Sequence, residues 1–244
     1  MIAVQGLRKR FGDVEAVRGV SFRAADGMVT GLLGPNGAGK TTTLRMLSGL
    51  MRPDAGTIRV DDADVVTDPI GAQRHMAVLP DSRGLYPRLT PREHIRYFGE
   101  LHGLARTALD ERTTALLQRL GLEALADRRV SGFSQGERTK VALARALVHQ
   151  PPNVILDEPT NGLDVMSTRA MRDLIRGLRD AGHCVLFSSH IMQEVSALCD
   201  RIVIIAQGGL VADGTPDELR RQSGRVDLED AFVALAGLET EVAR

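Results

Sequence analysis

The 244-residue sequence contains no tryptophan, two tyrosines, six phenylalanines and two cysteines. With so few aromatics, its core must be packed mainly from aliphatic side chains and methionine. Cys184 and Cys199 do not form the dense pattern of a disulfide scaffold, which favours a reducing compartment. No apolar run approaches the roughly 20 residues needed to span a bilayer, and the first residues lack the apolar centre of a signal peptide. We therefore expect the chain alone to be soluble.

The sequence also lacks net charge, since 31 basic residues balance 31 acidic residues. Without an excess of positive charge there is no broad field to hold nucleic acid or an anionic membrane, so no nucleic-acid partner is expected. Any phosphate binding must therefore be local.

Hydrophobic periodicity predicts an α/β fold. Three strand-like segments open the chain, separated by Gly and Asp turn signals, and favour an antiparallel start; they cover residues 2–7, 16–22 and 28–33. Three more alternate with helical segments, as in a mostly parallel sheet, at 153–156, 183–188 and 201–206. Residues 88–147 between the two groups show mainly helical spacing, which predicts an inserted helical subdomain.

A glycine-rich loop joins the third predicted strand to a helical segment. Its residues fit G-x-x-x-x-G-K-[ST] and are Gly34, Pro35, Asn36, Gly37, Ala38, Gly39, Lys40 and Thr41. In this context the backbone N–H groups converge on phosphate, Lys40 neutralises its charge and Thr41 offers a hydroxyl to Mg²⁺. The alternative is a glycine-rich turn that matches by chance. The loop predicts a phosphate-loop NTPase core.

Two carboxylates, Asp157 and Glu158, end an apolar strand that begins at residue 153. Ligands of open α/β folds collect at the carboxyl edge of the sheet. Asp157 is therefore a candidate magnesium ligand, and Glu158 a candidate base for an attacking water. An ordinary acidic turn is the alternative.

Residues 133–137 identify the chain as similar to the ATP-binding subunits of ABC transporters. They read Phe133, Ser134, Gln135, Gly136 and Glu137, and they resemble the family signature that precedes a helix. In the family this segment contacts the γ-phosphate of ATP held by the opposite subunit. Ser134 and Glu137 also have the spacing of a helix capping box, and both interpretations can hold at once.

Other family elements follow in order along the chain. Residues 161–164, ending at Asp164, resemble the loop that communicates across the dimer. Ser188, Ser189 and His190 resemble the switch whose histidine contacts γ-phosphate, where the alternative is a structural histidine. Phe11 matches the aromatic that stacks on adenine; its alternative is a core position at a strand end.

Two departures from the family pattern concern the site. Asp81 stands where the family usually has glutamine, and it cannot donate the hydrogen bond of an amide, although it could touch magnesium or its water. Gln135 and Glu137 stand where glycine and glutamine are common. We expect these changes to modify the opposite site without abolishing it.

The resemblance implies a homodimer, or a pair with a related ATPase subunit, that sandwiches two ATP molecules with Mg²⁺. Each ATP would lie between residues 34–42, including Thr42, of one subunit and the Ser134 region of the other. Glu158 would act as general base, His190 would hold γ-phosphate, and Lys40 would offset charge. Separate transmembrane permease subunits would dock near residues 81–91. The chain would then be cytoplasmic and peripheral on the cytoplasmic face of the membrane, with an ABC ATPase domain over residues 1–222 and a short helical tail over 223–244.

Two segments bear on the transported substrate. Residues 228–232 resemble a tail segment of exporter ATPases, although a simple packing helix has the same spacing. Residues 79–104 most closely resemble sodium-efflux (Nat) ATPases, so an exporter of sodium or drugs is expected. Two alternatives remain: a soluble ABC ATPase that acts on ribosomes or DNA, and a phosphate-loop kinase.

Overall fold

The computed structural model describes residues 1–238 of the chain. The last six residues of the predicted tail, 239–244, lie outside the described residues. Two β-sheets and the helices that cover them make up the described part. None of its helices combines the length and the apolar character needed to cross a membrane.

The smaller sheet is antiparallel and has the strand order β2-β1-β4-β5. Its strands are β1 (Ile2–Phe11), β2 (Val14–Ala24), β4 (Ala55–Val60) and β5 (Ala63–Asp64). The first two confirm the predicted antiparallel start. The third opening strand, β3 (Val29–Leu33), departs from that expectation because it pairs in parallel within the other sheet. All five of its residues are buried, as both faces of a covered parallel strand require.

The larger sheet has the order β10-β9-β3-β8-β7-β6. Its remaining strands are β6 (Met76–Leu79), β7 (Asn153–Asp157), β8 (Cys184–Ser189), β9 (Arg201–Ala206) and β10 (Gly209–Gly214). Every pairing is parallel except that of the edge strand β10 with β9. The mostly parallel sheet is therefore confirmed.

Nine α-helices lie within residues 1–238. They are α1 (Lys40–Leu47), α2 (Pro69–Arg74), α3 (Pro91–Leu101), α4 (Arg106–Arg119), α5 (Gln135–Leu147), α6 (Val165–Asp180), α7 (Met192–Leu198), α8 (Pro216–Ser223) and α9 (Leu228–Leu235). Helices α3 to α5 lie between β6 and β7 in the chain, where the described residues contain no strand. Pro91 at the first turn of α3 and the Thr90–Glu93 capping box explain why this helical stretch begins where it does.

Aliphatic side chains build the core, as the composition requires. One cluster lies where the helices cover the larger sheet, and a second lies between the two sheets. Both cysteines are free and buried, and burial raises the pKa of the Cys184 thiol to about 12. A thiol with so high a pKa is unreactive at neutral pH.

Candidate functional site

Three neighbouring parallel strands end at one edge of the larger sheet. Leu33, the last residue of β3, pairs with Ser189 of β8, and Ser188 pairs with Asp157 at the end of β7. The glycine-rich loop, the acidic pair and the segment that leads to His190 therefore open at the same edge. This is the edge at which parallel α/β sheets bind ligands.

The glycine-rich loop passes too close to its neighbours for larger residues. A β-carbon on Gly34 would collide with the carbonyl oxygen of Ile205 on β9. Gly39 has φ +102° and would place a β-carbon 2.5 Å from the carbonyl oxygen of Ala16 on β2. Both glycines are thus required by packing, and Gly39 is followed directly by the first residue of α1.

The ammonium of Lys40 is held inside this loop. It donates hydrogen bonds to the carbonyl oxygens of Gly34 at 2.6 Å and Pro35 at 3.1 Å, and the residue is only 7% exposed. Burial lowers the pKa of Lys40, while the charges of Glu158 and Asp157 oppose that shift. A cation thus lies where a phosphate would enter, and both acids are near enough to act on it.

The acidic pair is oriented by the neighbouring strand. The Ser188 hydroxyl donates to Oδ1 of the buried Asp157 at 2.6 Å and accepts from the Glu158 N–H at 3.1 Å. Glu158 has φ +47°, a left-handed conformation that is costly for a side chain of this kind and is concentrated at functional sites. Nδ1 of His190 lies 2.8 Å from Oε2 of Glu158. Since a carboxylate accepts, the His190 proton is on Nδ1.

Asp81 and Arg83 join this edge from β6. Asp81 is exposed two residues after the strand ends, whereas Arg83 is buried and donates to the carbonyl oxygen of Glu158 at 3.3 Å. Sequence reasoning did not single out Arg83 within the Nat-like segment 79–104, because its partners Thr139 and Glu158 lie far away in sequence. An arginine two residues after an acid at this strand end was its only local signal.

Ser134 and Glu137 form the predicted capping box at the start of α5. The Ser134 hydroxyl accepts from the Glu137 N–H at 3.2 Å, and the Glu137 carboxylate accepts from the Ser134 N–H at 2.7 Å. Asp164 caps the N-terminus of α6, because its carboxylate accepts a hydrogen bond from the Ser167 N–H at 2.8 Å. The capping interpretation is confirmed, and Ser134 is exposed at the helix end.

Phe11 is exposed at the end of β1, with 46% of its surface accessible, so the alternative of a core position is wrong. The ammonium of Lys9 lies 5.7 Å from its ring centroid. The structure thus brings Lys40, Asp157, Glu158 and His190 to one edge, while Phe11, Ser134 and Asp164 lie on other elements.

The donor set at the sheet edge fits Mg²⁺ held partly by a substrate. Thr41 presents a hydroxyl on α1, and Asp157 keeps one carboxylate oxygen, Oδ2, outside its hydrogen bond with Ser188. Mg²⁺ prefers such oxygens and usually keeps additional ligands from water or phosphate. Residues 1–238 contain no group of three or more His, Cys, Asp or Glu side chains that could hold a metal ion.

A family model described as "ABC transporter" matches residues 17–161. The chain is 43% identical over 239 residues to the "ABC transporter ATP-binding protein NatA" of Bacillus subtilis, covering 96% of this chain and 97% of that protein. It is 38% identical to the "Doxorubicin resistance ATP-binding protein DrrA" of Mycobacterium tuberculosis, covering 97% and 74%. It is 39% identical to the "Nod factor export ATP-binding protein I" of Ralstonia nicotianae, covering 90% and 68%.

A solved structure described as "Structure of ATP binding subunit of ABC transporter" has a similar fold. The TM-score is 0.89 at 32% sequence identity, and the likeness covers 96% of this chain and 99% of that one. The α/β architecture with two sheets is therefore shared over nearly the whole length.

Proposed function

This chain belongs to the ABC transporter family as an ATP-binding subunit, and from that premise we propose that it powers export through membrane-spanning subunits that are separate chains. Members of this family are ATPases coupled to transport, and the chain is such an ATPase. The export direction is supported by relatives whose names state export or drug resistance.

One observation carries the proposal. The phosphate loop, Asp157 and the Glu158–His190 pair open at one edge of the parallel sheet, where Ser188 is hydrogen-bonded to both Asp157 and Glu158. A buried lysine beside two carboxylates and an exposed histidine supplies charge, a metal ligand and a proton acceptor at one place. Hydrolysis of a nucleoside triphosphate needs this combination.

In the proposed reaction each residue has a distinct task. The amides of residues 34–41 and the Lys40 ammonium bind the phosphates, so Lys40 must exchange its bonds to the Gly34 and Pro35 carbonyls for phosphate oxygens. Thr41 and Asp157 are placed to hold Mg²⁺, with Asp81 as a further candidate. When bound, Mg²⁺ supplies positive charge to the phosphate oxygens.

Glu158 is the proposed base. The Nδ1–H of His190 donates a hydrogen bond to one oxygen of the Glu158 carboxylate, and the other oxygen is free to accept a proton from water. Glu158 has a left-handed backbone directly after β7 ends. His190 is half-exposed beside it and can also meet γ-phosphate.

The proposal includes a dimer, with either a second copy or a related ATPase subunit. Ser134 and Gln135 are exposed at the N-terminal end of α5, which suits them to meet ATP bound by another subunit, with Gly136, Glu137 and Asp164 close by. Phe11 is exposed and suited to stack on adenine. The subunit would then lie on the cytoplasmic face of the membrane, attached through its permease.

The proposed division of the chain keeps an ATPase domain over residues 1–222, with a helical subdomain inserted at about 88–147. The short tail over 223–244 begins at the last residue of α8 and includes α9.

Sodium is the first candidate for the transported substrate, and a hydrophobic drug is the second. Sodium is favoured by the 43% identity with NatA together with the Nat-like residues 79–104, and a drug by the 38% identity with DrrA. The test is reconstitution of the chain in vesicles with the membrane protein encoded beside it. We expect ATP-dependent efflux of radiolabelled sodium and no efflux of doxorubicin. Efflux of doxorubicin without efflux of sodium would make a drug the substrate in place of sodium. If neither compound is exported, both substrate candidates are wrong.

A further inference from the structure

Arg83 connects three separate parts of the site through one buried guanidinium. The residue is 5% exposed. Nη1 donates to the carbonyl oxygens of Pro80 at 2.7 Å and Asp81 at 2.9 Å, and Nε donates to the Thr139 hydroxyl of α5 at 3.0 Å. Nη2 donates to the carbonyl oxygen of Glu158 at 3.3 Å. The segment after β6, the helix that begins beside Ser134 and the proposed base therefore share one side chain.

The surroundings explain why a charged arginine is stable at this buried position. Burial lowers the pKa of Arg83, and the negative charges of Asp81 and Asp157 oppose that shift. None of the ion pairs found within residues 1–238 includes Arg83, so its donors are satisfied by carbonyl and hydroxyl oxygens. These hydrogen bonds last only while the Arg83 guanidinium keeps its position. A neutral acceptor does not follow a displaced guanidinium as the carboxylate of a mobile side chain can.

The other end of the segment is fixed as well. Arg145 of α5 donates to the carbonyl oxygens of Arg83 at 2.6 Å and Gly84 at 2.7 Å. His94 of α3 is fully buried, and its Nε2 accepts from the Tyr86 N–H at 3.0 Å. Residues 83–86 are thus hydrogen-bonded to α3 and α5, two helices of the inserted helical subdomain. A movement of this segment must move its partners or break these bonds.

Glu158 is the partner that is most sensitive to such a movement. Its left-handed φ of +47° is unfavourable and persists only where the surroundings hold it. The Ser188 hydroxyl fixes its N–H, and Arg83 together with the Asn161 N–H fixes its carbonyl oxygen. Loss of Arg83 would therefore remove one of the three hydrogen bonds that hold the Glu158 backbone.

We propose that Arg83 is a positioning residue that holds the backbone of Glu158, and with it the proposed base, in its place at the sheet edge. The inference rests on the proposed function, because it assigns to Arg83 the control of that same hydrolytic step. Arg83 itself touches neither the substrate nor the reacting atoms.

The test uses the full chain and compares R83Q, R83K and the control R106Q. Arg106 is an exposed arginine at the start of α4, away from the sheet edge. We measure steady-state ATP turnover, KM for ATP and the affinity for a fluorescent ATP analogue. R83Q should lower turnover by about tenfold or more while KM and nucleotide affinity stay within about threefold. R83K should recover turnover to about threefold above R83Q, because an ammonium can still reach the Glu158 carbonyl oxygen.

A merely structural role gives a different result. It would lower thermal stability equally in R83Q and R83K, and turnover would fall in step with the folded fraction. Any of three results would overturn the inference. Turnover and nucleotide affinity could fall together, turnover of R83Q could stay within about twofold of wild type, or R83K could fail to recover turnover.

If R83Q does not fold, T139V supplies the test, since it removes one acceptor of the Arg83 guanidinium and leaves the arginine in place. Its turnover should fall by about threefold at unchanged KM, and wild-type turnover in T139V would contradict the linkage. Absence of ATP hydrolysis in the wild-type chain would instead remove the proposed function, so the two failures are distinguishable.

Discussion

At the scale of single residues, the site is made of side chains whose partners lie far away in sequence. Ser188 positions Asp157 and Glu158 from the neighbouring strand, and Arg83 reaches Glu158 from the segment after β6. Motif spacing predicted Lys40, Asp157 and Glu158 because their chemistry imposes a local pattern. It could not predict Arg83, because its hydrogen bonds arise only when β6, β7 and α5 are packed together.

His149 gives a prediction about pH at this scale. Its ring stacks on that of His102 with centroids 3.7 Å apart, and burial, assisted by the charges of His102 and Arg112, lowers the pKa of His149 to about 4. Between pH 4 and about 6.5 the unfolded chain therefore binds the proton more readily than the folded one, so stability decreases as pH falls through that window.

We expect His149→Phe to remove about 1 kcal/mol of the pH dependence between pH 7 and pH 5, because this interval covers only part of the shift and partial exposure screens it. The measurement is the free energy of urea unfolding at pH 7 and pH 5. His102→Phe is the comparison and should remove a smaller part of the dependence: burial lowers the pKa of His102 as well, but burial of His149 is the main cause of the larger shift. Equal pH dependence in His149→Phe and wild type would contradict the assignment.

At the scale of elements, the start of α5 has two tasks that can be separated. Ser134 caps the helix, and in the proposed dimer it also faces ATP bound by the other subunit. Thr215 forms an equivalent capping box with Glu218 at the start of α8, which has no proposed role in nucleotide binding. The two helix ends are therefore a matched pair.

Ser134→Arg should block ATP-driven dimer formation, because a long cation replaces a small cap at the interface, while nucleotide affinity of the monomer stays within about twofold. Thr215→Arg should lose a cap of similar strength, about 1 kcal/mol, and still dimerise. Light scattering with and without ATP measures dimer formation and distinguishes the two variants. Dimerisation by Ser134→Arg would place the interface elsewhere.

Periodicity predicted the long buried elements better than the edges. Helix α1, strand β7 and the helical insertion have strong apolar patterns and were expected. Strands β4 and β10 were missed, because four of the six residues of β4 and two of the six of β10 are exposed, and both strands carry glycines. Such strands are held by pairing with a neighbour, which a single segment does not reveal.

At the scale of the whole molecule, the proposed dimer should respond to the chemistry at Glu158. Glu158→Gln keeps the size of the side chain but removes the base, so ATP should bind and remain unhydrolysed. We expect an ATP-dependent dimer at least about tenfold longer lived than that of wild type, measured by size-exclusion chromatography with light scattering.

The control for this prediction is Lys40→Ala combined with Glu158→Gln. It should bind ATP poorly and stay monomeric, because the buried ammonium no longer offsets phosphate charge. If Glu158→Gln hydrolyses ATP at the wild-type rate, the base is another residue.

The sequence by itself determined the class of fold, the phosphate loop and the membership suggested by residues 133–137, because these depend on local spacing and on chemistry that allows few residue types. Only the tertiary structure decided which sheet holds β3, that Phe11 is exposed, and that Arg83 connects the segment after β6 with Glu158. The reason is physical: parallel strands place residues far apart in sequence at one edge, and burial, rather than spacing, selects their partners.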